Sequence, residues 1–280
     1  MNRNPYRIEG PACISFSGGR SSGYMLKHIL DAHGGTLPDD VHVCFANTGK
    51  EREATLRFVA ACAEAWAVPI RWLEYDPAAE DRTREVTFGT ASRNGEPFEA
   101  MIRRKGFLPN PVARFCTTEL KIRRCKHLML RHDYEQWEMV LGFRADEPRR
   151  VAKLQLNSSR ERWDNVAPMA QAGVTKEDVA AFWKAQPFDL ALPNHGGVTP
   201  AGNCDLCFLK GRDTVLQLIR ENPGSADWWI RMEALALASK PSGANFRTDR
   251  PSYEEMRKIT ETQDLLPITD TEAIPCFCGD

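Results

Sequence analysis

The sequence predicts an α/β protein: a parallel sheet with helices on both faces, followed by a smaller, mainly helical C-terminal region. Three observations lead there. Short apolar runs alternate with stretches of helical period from Ala12 to Tyr75, the connections between them are short, and strand-like runs stop after Arg150. Parallel strands need crossover helices, and these cover both faces of a sheet. The chain divides accordingly into 1–150, an α/β domain, and 151–280, a helical region whose cysteines lie in loops.

The elements follow in order. ACISFS (12–17) reads as a strand, and Ser21 to His33 as a helix closed by Gly34-Gly35. VHVCFANT (41–48) is a second strand. Glu53 to Trp66 is a helix with Leu56, Val59, Ala60 and Ala63 at helical spacing, and Pro69 introduces a third strand, IRWLEY (70–75). Residues 77–113 are polar with scattered Gly and Pro, an excursion or lid. A helix over Thr118–Arg131 and a strand, WEMVLGFR (137–144), return the chain to the sheet. Beyond Arg150, Thr175 and Asp178 form a capping box, and helices are expected over Asp213–Glu221, Ser225–Leu237 and Tyr253–Thr262.

Composition excludes little. Lys and Arg (37) nearly cancel Asp and Glu (38), so net charge gives no argument for nucleic acid or a membrane surface. No apolar run approaches the roughly 20 residues of a membrane helix. The N-terminus lacks a signal-peptide layout, so the cytoplasm is the default. Nine cysteines are an odd number, more in keeping with thiols or metal ligands than with disulfides. Cys13, Cys44 and Cys62 fall inside apolar patterns and read as small buried hydrophobes. Cys116, Cys204, Cys207, Cys276 and Cys278 sit in polar or Gly/Pro-flanked stretches and ask for a role.

The strongest local signal is SFSGGRSS (15–22) at the junction of the first strand and helix. Glycines there turn successive N–H groups inward, and the helix adds its positive end. Ser15, Ser17, Gly18, Gly19, Arg20, Ser21 and Ser22 are therefore candidate anion-binding residues. The stretch fits neither the Walker nor the dinucleotide fingerprint, and a serine-capped helix after a glycine turn is its bland reading. Arg144, Arg149 and Arg150 follow a strand end, where ligands of open sheets bind, and guanidinium forks match phosphate or sulfate oxygens. Lys121 would add a point charge.

SxSGGxxS after the first strand resembles the PP-loop of the N-type ATP pyrophosphatases. Further segments resemble the 3′-phosphoadenylyl sulfate (PAPS) reductases. Asn47-Thr48-Gly49 with Glu53 and Thr55 matches the family's second-strand Asp-Thr-Gly segment, and Cys116 and Lys121 match its Cys-Cys-x-x-Arg-Lys stretch. Gly142 and Arg144 match its Gly-x-Arg segment, while Thr117 and Glu147-Pro148 depart from the pattern. The resemblance implies a PP-loop, HUP-like fold and an adenine nucleotide (PAPS, adenylyl sulfate or ATP) held by the loop, Asn47, Thr48 and Gly49. Lys121 and Arg144 would then serve the reaction.

NCDLCF puts Cys204 and Cys207 at a metal-biting spacing, and PCFCGD adds Cys276 and Cys278. The resemblance favours a [4Fe–4S] cluster on Cys116, Cys204, Cys207 and Cys276, with zinc on the two cysteine pairs as the alternative. His195, in a glycine turn, reads as exposed. Three functions stay open. The leading one is thiol-dependent reduction of a sulfonucleotide to sulfite, with Cys278 as nucleophile and a thioredoxin-like reductant. The second is ATP- and Mg²⁺-dependent sulfur transfer to a tRNA, DNA or small-molecule acceptor. The third is a non-catalytic nucleotide-binding module with structural zinc. The oligomeric state stays open too.

Overall fold

A computed structural model of the chain describes residues 4–157, 161–239, 244–262 and 274. Its first half winds a strand β1 (Ala12–Ser15), helix α1 (Arg20–Ala32), strand β2 (Val41–Ala46), helix α2 (Glu53–Ala65) and strand β3 (Ile70–Tyr75). Strands β4 (Thr83–Val86), β5 (Trp137–Leu141) and β6 (Trp163–Val166) complete a six-stranded sheet in the order β4-β3-β2-β1-β5-β6. All neighbours are parallel except β4, which runs antiparallel to β3. The winding reverses at β1, which pairs with β2 on one side and β5 on the other. That reversal opens a crevice at the carboxyl ends of β1 and β5, the place where ligands of open sheets bind.

Residues on β1 explain how the sheet is held. Ala12, Cys13 and Ile14 are all fully buried because both faces are covered. Ile14 packs with Met25, Leu26, Leu56 and Val59 of α1 and α2. Cys13 points to the opposite core, with Cys44, Leu73, Leu128, Met129 and Met139. Each fully buried Leu or Met there is stabilised by roughly 1.5–3 kcal/mol of transfer free energy.

The polar stretch 77–113 is ordered rather than an open excursion. It carries β4 and a helix α3 (Glu96–Lys105). Helix α3 shows its own signals: Gly95 before it and Gly106 after it at φ of +82° and +74°, Pro97 in its first turn, acids at its start and bases at its end. Glu74, wholly buried on β3, ties the stretch down by accepting from Asn47 Nδ2 (2.6 Å), Ser92 N–H (2.6 Å) and Arg84 (2.7 Å).

The helix expected over Thr118–Arg131 is present in three pieces. A turn α4 (Phe115–Thr117) leads into a widened π turn, Thr118–Ile122, and then α5 (Arg123–Arg131). After α6 (Pro148–Asn157), β6 extends the sheet past Arg150, pairing Trp137 with Trp163. The remainder is helical: α7 (Pro168–Gln171), α8 (Lys176–Lys184), α9 (Arg212–Glu221), α10 (Asp227–Ser239) and α11 (Tyr253–Thr262). The capping box at the start of α8 forms, with Thr175 N–H and Oγ1 donating to Asp178 at 2.8 and 2.9 Å. Trp228 and Trp229 are core residues, the latter stacked on Tyr253. Among the described residues no helix is long and apolar enough to cross a membrane.

Candidate functional site

The loop between β1 and α1 is built around one hydroxyl. Ser22 Oγ accepts from Ser17 N–H (3.2 Å), Ser17 Oγ (3.0 Å) and Gly19 N–H (3.3 Å), and donates to the Gly19 carbonyl (2.9 Å). Gly18 turns the chain at φ +76°, where a Cβ would stand 2.8 Å from Thr55 Cγ2. Neither the angle nor the room admits a side chain. The first helical bond runs from Gly23 N–H to Gly19 O (3.0 Å). Among the described residues nothing accepts from the N–H groups of Gly18, Arg20, Ser21 and Ser22. Four amides thus gather without acceptors at the positive end of a 13-residue helix, a ready anion cradle.

Beside it lies a cavity of about 300 Å³, lined among others by Ser15, Ser17, Ser22, Lys121, Cys125 and Trp163. Gly142 closes its floor, since a Cβ there would come within 3.3 Å of Ser22 Cα. Lys121 reaches the wall from the π turn, a distortion often found at functional positions. Its Nζ lies 3.9 Å from Glu51 Oε1.

The edge of β2 is arranged differently. Thr48 N–H donates to Glu51 (2.9 Å), Gly49 N–H to Asn47 Oδ1 (3.2 Å), and Lys50 N–H to Thr48 Oγ1 (3.2 Å). Asn47 spends its side-chain amide on Glu74 and on the Ser92 carbonyl (2.8 Å). The Thr48 and Gly49 amides and the Asn47 side chain, expected at a nucleotide, thus have hydrogen-bond partners within the protein. Lys50 is paired with Asp205 at 2.9 Å, and Glu51 forms a backbone bridge with Cys204.

The arginines also divide. Arg20 sends its guanidinium away from the cradle to Asp189 (2.8 Å), Thr199 Oγ1 (3.0 Å) and the carbonyls of Leu190 and Leu192. It offers the loop its amide rather than its side chain. Arg144 does face the cradle, donating to Ser21 Oγ (2.9 Å), but Asp146 holds it at 2.9 Å and Glu147 lies 3.8 Å away. Arg150 pairs with Glu147 and lies over the Phe143 ring, while Arg149 is exposed. The basic patch expected for a sulfated or phosphorylated end is thus largely neutralised by its own neighbours.

Of the sulfur ligands expected, Cys276 lies outside the described residues, as does the expected nucleophile Cys278. Cys204 is buried and Cys207 half-buried on one turn, closed by Cys207 N–H to Cys204 O at 3.3 Å. Cys204 Sγ lies 3.4 Å from Thr48 Oγ1, at the ligand edge of the sheet. Burial pushes its thiol pKa up, Glu51 adds to the rise, and Lys121 opposes it. Cys116 is half-buried at α4, five positions before Lys121. These sulfurs are soft donors suited to iron or zinc. The compact group is a different one: among the described residues, Cys13, Cys44 and Cys125 alone bring three ligating atoms within 4.8 Å of one another. Cys13 Sγ donates to Cys44 Sγ at 3.4 Å. Hydrogen bonds from Cys13 and then Cys44 lower the Cys125 pKa, making it the first of the three to ionise.

Sequence reasoning passed over Lys50, Glu51, Asp205 and Cys125. Glu51 had a signal, since Thr48-Gly49-Lys50-Glu51 has the spacing of a capping box. Lys50–Asp205 and Cys125 had none. His195 is exposed, as expected of a glycine turn.

No family model matches the chain. Over 223 residues it is 31% identical to the uncharacterized nin region protein ORF290 of Escherichia phage lambda, covering 75% of this chain and 70% of that protein. The chain belongs to the ORF290 family. A solved structure, the U34-tRNA thiolase NcsA from Methanococcus maripaludis with its [4Fe–4S] cluster, is similar at 14% identity and a TM-score of 0.36. That match covers 98% of this chain and 81% of NcsA. Within the ORF290 family, this chain joins an amide cradle at β1 to a CxxC turn held against β2.

Proposed function

We propose that this ORF290-family protein is a PP-loop enzyme that uses ATP to activate an acceptor for sulfur transfer. The observation that carries the reading is the set of open amides from Gly18 to Ser22 beside a cavity walled by Lys121. Those groups suit a polyphosphate: main-chain donors approach oxygens closely, and one mobile cation follows the charge. Mg²⁺, bound with the nucleotide, would neutralise part of its charge.

Sulfonucleotide reduction, the leading expectation from sequence, asks for arginines able to grip a sulfate or a 3′-phosphate. Arg144 and Arg150 are instead held by Asp146 and Glu147. ATP-dependent transfer does not need them. An acceptor oxygen would attack the α-phosphorus and pyrophosphate would leave. A sulfur nucleophile would then displace AMP, which departs with the former acceptor oxygen. Cys204, at 3.4 Å from Thr48 Oγ1, brings a soft donor to the ligand edge of the sheet. Cys116, Cys204 and Cys207 would hold a [4Fe–4S] cluster, which supplies a place to carry sulfur.

The experiment compares substrates on anaerobically prepared full chain. Calorimetry with ATP·Mg²⁺, adenylyl sulfate and PAPS is paired with assays for pyrophosphate and sulfite. ATP binding, with pyrophosphate released on adding tRNA, DNA or a small-molecule acceptor pool, is the expected result. Thiol-dependent sulfite from either sulfonucleotide, without pyrophosphate from ATP, overturns it in favour of reduction.

A further inference from the structure

Three cysteines that the proposed reaction does not use converge on one point beneath the cradle. Cys13 comes from β1, Cys44 from β2 and Cys125 from α5, all buried, with their sulfurs mutually within 4.8 Å. Three sulfurs each about 2.3 Å from one ion stand about 4 Å apart. The observed spacing brackets that value, with Cys13 and Cys44 at 3.4 Å and all three sulfurs within 4.8 Å of one another. A nest this tight encloses a single ion, not a four-iron cube.

Charge points the same way. Three thiolates around a divalent ion carry a net charge of −1. Arg124, next to Cys125 on α5, is 1% exposed. Its guanidinium meets only neutral partners: the Glu119 carbonyl (3.0 Å), Thr83 Oγ1 (2.7 Å) and the Tyr75 ring. Among the described residues no carboxylate lies within 4.0 Å of it, so this buried cation lacks a direct counter-ion. The carboxylates of Asp81 and Glu119 act on it only from a distance. A buried cation with no carboxylate in direct contact is costly, and an anionic complex nearby offsets that cost.

Access is provided as well. Cys125 lines the cavity beside the cradle, so an ion reaches the nest from the ligand side while Leu73, Leu128 and Met129 exclude water behind it.

We propose that Cys13, Cys44 and Cys125 form a three-thiolate site for one soft divalent ion of the zinc–cadmium class. Such an ion would tie together the ends of β1 and β2 and the start of α5, the elements that frame the cradle and aim Lys121. The site is separate from the CxxC turn and does not depend on the sulfur-transfer reading.

The test uses the full chain, stripped with chelator and titrated anaerobically with Cd(II) alone. Native mass spectrometry counts ions, and the thiolate-to-cadmium charge-transfer band reports sulfur ligation. In a Cys204→Ser/Cys207→Ser background one Cd(II) with its band is expected to remain. Adding Cys125→Ser should remove that ion and the band, with circular dichroism confirming a folded chain. An unchanged ion count in the folded triple variant overturns the proposal. Should that variant not fold, crystals of the unaltered chain soaked in Cd(II) decide. An anomalous peak between the three sulfurs is expected, and cadmium bound elsewhere with none there overturns it.

Discussion

The carboxyl ends of β1 and β2 lie side by side, yet they treat their backbone amides in opposite ways. After β1, Ser22 Oγ organises the turn but leaves the N–H groups of Gly18, Arg20, Ser21 and Ser22 without acceptors among the described residues. After β2, Asn47, Thr48 and Glu51 consume the amides of Thr48, Gly49 and Lys50 on the spot. Buried amides are expensive to leave unpaired, so a turn that leaves four open waits for an external acceptor. A turn that closes its own is scaffold. Two neighbouring Gly-containing strand ends thus differ: one leaves amides open to an external acceptor, and the other holds the CxxC turn in place through Glu51 and Lys50.

The largest effect should come from breaking this asymmetry at Gly18. In Gly18→Val the side chain would collide with Thr55 and Val59, and φ +76° is strained for a β-branched residue. ATP affinity measured by calorimetry is expected to fall by more than about 100-fold, about 3 kcal/mol. The matching change at β2, Gly49→Ala, also starts from φ +77° and meets Gly95 backbone at 3.0 Å. It should cost folding stability while leaving affinity within about threefold, a difference below 1 kcal/mol. Equal affinity losses in both variants would erase the distinction between the two edges.

How much of this was readable beforehand depends on distance along the chain. The cradle was legible because its serines and glycines are consecutive, and strand, turn and helix follow within 20 residues of one another. The parallel sheet was legible from six-residue, mostly apolar and β-branched or aromatic segments, as in β2 and β3. Strands β4 and β6 were not, because four residues with only Thr83 or Trp163 buried show no period. Where the Arg20 side chain goes was not legible, because its partner Asp189 lies 169 residues away and no local pattern announces a contact at that range. The Cys13–Cys44–Cys125 group was hidden for a related reason. Each residue sits in an ordinary apolar pattern, and only strand order and the docking of α5 bring them together.

A second way to sharpen the comparison is to open the β2 edge deliberately. Glu51→Ala removes the acceptor of both Thr48 N–H and Thr48 Oγ1 and the carboxylate 3.9 Å from Lys121 Nζ. Denaturant unfolding should show a loss of about 3 kcal/mol, the cost of stranding buried donors that had a charged acceptor. Calorimetric ATP affinity should hold, since the β1 amides are untouched. A variant that keeps its stability but loses ATP would make Glu51 part of the ligand site rather than scaffold.

A third buried carboxylate calibrates the scale, because it lies in the helical region away from both edges. Glu233 accepts from Tyr253 N–H at 2.9 Å, and burial raises its pKa from 4.5 to about 7 despite help from backbone donors and Arg250. The folded value exceeds the unfolded one, so between about pH 4.5 and 7 the folded chain holds a proton that the unfolded chain has released. Folding stability should therefore fall as pH rises through that window, with the full cost present above it. Glu233→Gln keeps an oxygen for the Tyr253 amide and removes the titration. Its contribution should be flat from pH 4.5 to 8 and about 3 kcal/mol more favourable than the parent's at the upper end. A parent whose stability rises with pH across this window, with the glutamine variant changing nothing, would mean that Glu233 is satisfied as an anion. Self-closing polar networks would then extend from the β2 edge into the helical region, and the open amides at β1 would stand out all the more.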